Sequence, residues 1–176
     1  MKNHFTAPED EDPMAVTSCS LERVSAELPQ RVRGTSTALA DHTTFRLGGP
    51  AKRLVRATTD DELVDAVHEA DRVGEPILVL SGGSNVLISD QGFDGTVVLV
   101  DTHGLDAEVS DCGGAFVRVK AGEVWDDVVA YSIEQEWAGI EALSGIPGLV
   151  GATPIQNVGA YGQDVSQTVA RVRTWD

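Results

Sequence analysis

Apolar residues recur at helical spacing through TDDELVDAVHEADRVG, at Leu63, Val64, Ala66, Val67, Ala70 and Val73, and this period predicts an amphipathic helix. Thr59 with Glu62 makes a capping box, Asp60 and Asp61 suit the positive end of the helix, and Gly74 before Pro76 stops it. His68 falls on the helix surface. Around the helix the pattern shortens to strands: Arg53–Ala57 before it, Ile77–Ser81, Val86–Ile88 and the almost wholly β-branched Thr96–Val100 after it. Phe116–Lys120 alternates, with Arg118 and Lys120 on one solvated side. A second helix is predicted from about Glu123 to Glu136, opened by Gly122, with Val124, Trp125, Val128, Val129 and Ile133 toward the core. Val169–Trp175 reads as a last strand, and Trp125 and Trp137 read as packing residues. Upstream, residues 1–37 mix acidic residues, three prolines and short apolar pieces without a sustained period. They predict a mobile extension with at most a short helix around Leu21–Leu28.

The order strand, helix, several strands, helix, glycine-rich segment is α+β, and favours two small lobes over a doubly wound sheet. A chain of 176 residues is long enough for one large domain or two such lobes. No apolar run approaches the roughly 20 residues of a membrane span, and the N-terminal stretch lacks the apolar core of a signal peptide. A cytoplasmic protein without membrane partners is therefore expected. Cys19 and Cys112 are too few for a disulfide framework and have no CxxC partner, so they read as reduced thiols. His4, His42, His68 and His103 are scattered, and no metal site is expected.

Net charge is −15, yet its layout is more informative. Between Gly74 and Ala170 the only lysine or arginine residues are Arg118 and Lys120, so no cationic stripe exists for nucleic acid. A phosphate bound in this region must be held mainly by main-chain N–H groups. Two segments are suited to that. Gly82, Gly83, Ser84 and Asn85 interrupt the apolar run Leu78–Ile88, where glycines admit positive φ and let a ligand approach the backbone. From Gly139 to Gly162 there are six glycines in 24 residues, more than a connection requires. Neither segment is a P-loop, since no lysine follows the glycines, and Gly145-x-x-Gly148-x-x-Gly151 has the wrong spacing for a dinucleotide-binding Rossmann turn.

The strings TFRLGGPA (Thr44–Ala51), LSGGSNVL (Leu80–Leu87) and above all IPGLVGATPIQNVGAYG (Ile146–Gly162) resemble the UDP-N-acetylenolpyruvoylglucosamine reductase family, the UDP-N-acetylmuramate dehydrogenases. The resemblance runs from about Asp41 to Trp175. It implies an FAD-binding module of the vanillyl-alcohol oxidase type over residues 38–176, two small α+β lobes with the flavin between them. A separate substrate-binding domain would be absent from this chain. By matching string, Gly82, Gly83, Ser84, Asn85, Val86 and Leu87 would wrap the FAD diphosphate. Ile146, Pro147, Gly148, Gly151 and Ala152 would line its other side, and Gln156, Asn157, Gly159, Ala160, Tyr161 and Gly162 would run near the flavin.

The reaction so implied is reduction of a UDP-sugar enolpyruvyl ether in peptidoglycan precursor synthesis, with NADPH as hydride donor. The family's proton-donating serine, and the arginine and glutamate that assist charge stabilisation, have no counterpart before Asp176, so no catalytic residue is assigned. The chain is expected to be the flavin-binding part of a longer reductase, without turnover alone. The competing readings are another flavoenzyme of the same superfamily and a nucleotide-binding module without redox chemistry.

Overall fold

The computed structural model describes residues 19–31 and 33–175. Its first strand, β1 (Leu21–Ala26), is followed by a loop and a short 3-10 turn at Leu39–His42, then by β2 (Ala51–Ala57) and helix α1 (Asp60–Val73). Next come β3 (Ile77–Leu80), β4 (Phe93–Val100), β5 (Leu105–Ser110), β6 (Gly114–Val119) and helix α2 (Trp125–Glu134). The glycine-rich segment holds 3-10 turns, the one-turn helix α3 (Thr153–Gln156) and the two-residue strands β7 (Gly159–Ala160) and β8 (Gln163–Asp164).

Two three-stranded sheets organise the chain. The first has the order β2-β4-β3 and is parallel throughout. Its middle strand is buried from Gly95 to Val100, which explains a β-branched run without alternation. Helix α1 covers one face through Leu63 and Ala66 against Ala57 and Val98. The 39–51 segment and Ile88 cover the other, packing Leu39 and Ala51 on Leu80, Val97 and Leu99. The predicted capping box is present: Thr59 accepts from the Glu62 N–H while the Glu62 carboxylate accepts from the Thr59 N–H. Gly74 closes the helix in the left-handed region at φ 67°.

The second sheet, β1-β5-β6, is antiparallel. Helix α2 lies against it, with Val128 packed on Leu28 and Leu105 and flanked by Val117 and Val119. Its other apolar residues, Trp125 and Val129, form a core with Leu143 and Val165, and the Trp125 indole N–H donates to the Leu143 carbonyl at 3.1 Å. Ile133, expected inward, is 51% exposed in the last turn of the helix.

Several expectations are corrected. Of the predicted extension, residues 1–18 lie outside the described residues, but Leu21–Ala26 form an edge strand rather than a helix. Their partner β5 lies some eighty residues away, so no local period announces the pairing; Ser25 Oγ–H donating to Asp106 at 2.7 Å and the Arg23–Glu108 pair at 3.4 Å sit across it. Cys19 and Cys112, read as separate thiols, are disulfide-bonded with Cα atoms 6.0 Å apart. The β1–β5 register, Leu21 opposite Ser110, extends two residues to bring these cysteines face to face. Val86–Ile88 forms no strand pairing among the described residues, Val86 and Ile88 packing on the core while Leu87 is 74% exposed. Val169–Trp175 also forms no ladder among the described residues; Trp175 instead stacks edge-on against His68 at 5.2 Å. Arg118 is solvated as expected, whereas Lys120 pairs with Asp60 at 2.8 Å.

Candidate functional site

The first glycine loop leaves the C-terminal end of β3, a parallel strand, and crosses toward the second glycine-rich segment. The crevice at the carboxyl ends of parallel strands is where ligands of α/β sheets settle. Gly82 meets Gly148 so closely that a Cβ on Gly82 would stand 3.0 Å from the Gly148 Cα. Gly148 itself has φ 132°, a conformation reserved for glycine. Ser84 Oγ–H donates to the Pro147 carbonyl and Asn85 Nδ2 donates to Gln156 Oε1, both at 3.3 Å. The structure therefore brings Gly82, Ser84 and Asn85 together with Pro147, Gly148 and Gln156.

Gly83 serves another purpose. At φ 66° it packs under the 42–44 segment, where a Cβ would lie 2.1 Å from the His42 carbonyl oxygen, and its own carbonyl accepts from the Thr44 N–H at 3.0 Å. This glycine is required by the chain's own backbone. Gly151 is similar, since its N–H donates to the Ala121 carbonyl at 2.9 Å and a Cβ would meet the Ala121 side chain at 2.8 Å.

What the first loop leaves free is its donors. Among the described residues, the main-chain N–H groups of Gly82, Gly83, Ser84, Asn85 and Leu87 donate to no protein acceptor, and neither does that of Gly148, while Ser84 and Asn85 form a hydrogen-bonded turn that engages the Val86 N–H. The Ser81 hydroxyl, just before the loop, is buried without a partner. A row of unpaired amides on a turn with few side chains forms an anion-binding concavity, and its donor set fits a diphosphate.

The other expected site residues divide. Val86, Ile146 and Ala160 pack against core clusters. Ala152 ends a 3-10 turn ahead of α3, whose last residue is Gln156. Asn157 follows in the left-handed region at φ 43°, and Gly159 pairs with Asp164 in the small hairpin. Tyr161, at φ 52° and 96% exposed, and Gly162 form its tip. Tyr161 and Gly162 make no hydrogen bond to the first loop among the described residues.

Two features escaped the sequence. Arg33 donates from Nη2 to the Ser81 carbonyl and from Nη1 to the Val100 carbonyl at 3.1 Å, spanning the ends of β3 and β4. Burial lowers its pKa most, Asp101 opposes that shift and Arg56 adds to it. Asp126 accepts from the Gly145 N–H at 2.7 Å and the Ser144 hydroxyl at 3.0 Å, which together hold its carboxyl below the usual range. No spacing signals the arginine, whereas an acidic residue in the first turn of α2 is an ordinary feature. Two shallow surface depressions, one among Arg53, Arg56, His68 and Arg72 and one among Thr58, Thr59, Asp61 and Thr102, include none of the glycine-loop residues.

A family described as FAD binding domain matches residues 51–176. The chain is 60% identical over 168 residues to a UDP-N-acetylenolpyruvoylglucosamine reductase of Cutibacterium acnes, covering 96% of this chain and 45% of that protein. With the reductase of the same name from Salinispora arenicola it shares 57% identity over 138 residues, 78% of this chain and 38% of the relative. The crystal structure of UDP-N-acetylenolpyruvylglucosamine reductase (MurB) from Thermus caldophilus superposes with a TM-score of 0.56 at 28% identity, over 83% of this chain and 45% of the other. The chain thus spans less than half the length of these relatives. The chain belongs to the FAD binding domain family, with an α+β fold like that of the reductase structure it matches.

Proposed function

We propose that residues 38–176 form the flavin-binding module of a UDP-N-acetylenolpyruvoylglucosamine reductase, with residues 19–37 adding an edge strand and a connecting arm. The observation that carries this reading is the set of unpaired amides at Gly82, Gly83, Ser84, Asn85 and Leu87, set against Pro147 and Gly148 of the second glycine-rich segment. Main-chain donors in that set hold the FAD diphosphate, and Ser84 and Asn85 tie the loop to its partner segment. Gln156, Asn157, Gly159, Ala160, Tyr161 and Gly162 lie on the flavin side, where the exposed Tyr161 and Ile155 offer apolar surface. Ile146, Val86, Gly151 and Ala152 support these loops from behind.

A bound flavin would supply hydride-transfer chemistry, with NADPH as the donor and the enolpyruvyl ether of a UDP-sugar in peptidoglycan precursor synthesis as the acceptor. The chain's own residues bind and orient the cofactor. No proton donor is assigned among them: Ser84, Ser144 and Ser166 stand outside the motif that carries the family's serine, and donate to Pro147, Asp126 and Asp164 respectively. The full enzyme works in the cytoplasm, and this chain alone binds flavin without completing turnover.

The test is a titration of the purified chain with FAD, followed by visible absorbance and anaerobic addition of NADPH. Saturable binding with the absorbance of a protein-bound flavin is expected. Failure to take up FAD would remove the reading, and production of UDP-N-acetylmuramate by this chain alone would remove its assignment as a non-catalytic part.

A further inference from the structure

We propose that Arg33 is a positioning residue of the diphosphate loop, holding the Ser81–Gly82 peptide so that the Gly82 N–H points at the bound diphosphate; this rests on the FAD reading above. Val100 ends β4 and Ser81 directly follows the neighbouring parallel strand β3, and the one guanidinium bonds both carbonyls. In a trans peptide the carbonyl and the following N–H point in opposite directions. A donor seated on the Ser81 carbonyl therefore lies behind the loop and leaves the Gly82 N–H aimed out of its other side. A positively charged donor on the carbonyl also polarises that peptide and strengthens its N–H as a donor.

Arg33 is held in place by more than its two bonds. Asp101 lies close enough to stabilise its charge, while the same carboxylate receives the Arg56 guanidinium. The bidentate fork reaches two carbonyls at once, which the single ammonium of lysine cannot copy in the same plane. The residue lies outside the stretch matched by the family, residues 51–176, in an arm whose sequence has no period. An element of the cofactor site is thus contributed by the segment before the module.

The experiment compares the 176-residue chain with Arg33→Ala and Arg33→Lys. FAD affinity is read by flavin fluorescence, the diphosphate environment by 31P resonances of bound FAD, and the ring environment by visible absorbance. Arg33→Ala should bind FAD about tenfold more weakly, as expected for loss of a charge-assisted bond to a peptide that itself contacts the ligand. The 31P resonances should move while the absorbance of bound flavin stays unchanged. Added guanidinium, well below unfolding concentrations, should restore affinity and 31P positions, and Arg33→Lys should lie between. Unchanged affinity, or weaker binding with unmoved 31P resonances and no rescue, would overturn the proposal and leave Arg33 a brace of the strand ends. If Arg33→Ala does not fold, the same comparison on Arg33→Lys decides, since only a positioning role moves its 31P resonances. A wild-type chain that takes up no FAD refutes the parent reading, and this one with it; wild-type binding matched by the variants refutes this one alone.

Discussion

Gly83→Ala separates two reasons for a glycine in the first loop, room for a ligand and room for the protein's own backbone. The added Cβ would lie 2.1 Å from the His42 carbonyl oxygen and 2.9 Å from the Thr43 Cα. Both are backbone atoms, so no side-chain rotation relieves the overlap. At φ 66° the alanine also occupies the left-handed region, at a cost of about 1 kcal/mol. Parting the loop from the 42–44 segment breaks the Thr44 N–H bond to the Gly83 carbonyl, worth about 1 kcal/mol. The strain of forcing the segments apart beside Leu39 and Ile88 adds roughly 1–3 kcal/mol. The sum, about 3–5 kcal/mol, is a large share of the roughly 5–15 kcal/mol that holds a domain folded. Urea unfolding of the flavin-free chain, followed by the fluorescence of buried Trp125, measures it directly. Gly145→Ala is the control: its φ of 79° is equally left-handed, but nothing lies within 4 Å of the new Cβ. It should cost only about 1 kcal/mol. If Gly83→Ala is no less stable than Gly145→Ala, the packing argument is wrong.

Three further outcomes are expected. Gly82→Ala, whose Cβ meets the Gly148 Cα at 3.0 Å, should cost the apoprotein only about 1 kcal/mol yet weaken FAD binding by prying the two loops apart; a titration curve identical to wild type would count against the loop pairing. Reduction by dithiothreitol should lower the urea midpoint of the wild-type chain but not of Cys112→Ser, because the Cys19–Cys112 link closes a loop with a sequence separation of 93, worth about 4–5 kcal/mol by chain entropy; equal midpoints with and without reductant would refute it. Asp126 has its folded pKa depressed, first by the Gly145 N–H and then by Ser144. Its contribution is present above the unfolded carboxylate value of about 4 and is lost as pH falls through the folded value. The stability gap between wild type and Asp126→Ala should therefore close on acidification, and a gap constant from about pH 7 down to about pH 3 would contradict the assignment.

What the sequence disclosed was local. Helix α1 carries its own cap, period and stop within sixteen residues, Thr59 to Gly74, and so could be read to the residue. The buried run of β4 was legible because a strand covered on both faces needs no alternation. β1 was not, because its stabilising partner is contributed by β5 and its own residues are mostly exposed. The same long-range register hid the Cys19–Cys112 pairing. Conversely, Val86–Ile88 and Val169–Trp175 have the composition of strands but lie where no sheet edge receives them. At the site, the glycines announced a loop of unusual backbone but not what each makes room for: Gly82 admits Gly148, Gly83 admits His42, and Gly151 admits Ala121. The family resemblance assigned the space at Gly82 and Gly83 to a diphosphate.

That redistribution sharpens how the loops can work. If glycines served only to clear space, the protein would leave a cavity; instead it brings backbone against backbone and leaves most of the loop's peptide N–H groups without a protein acceptor. The loops nevertheless meet through little that is strong, two exposed hydrogen bonds of 3.3 Å and one contact between glycines. Exposed bonds of that length contribute little net stability. The two sheets are joined more firmly elsewhere, where the Gly122 N–H donates to the Thr102 carbonyl at 3.0 Å and the Gly104 N–H to the buried Glu123 carboxylate at 2.6 Å. A diphosphate gripped by the unpaired amides of the Gly82–Leu87 loop and touching Gly148 would add adhesion where the protein has least of its own. Because such a ligand binds the folded pair of loops and not the unfolded chain, its affinity adds to the stability of the fold by mass action.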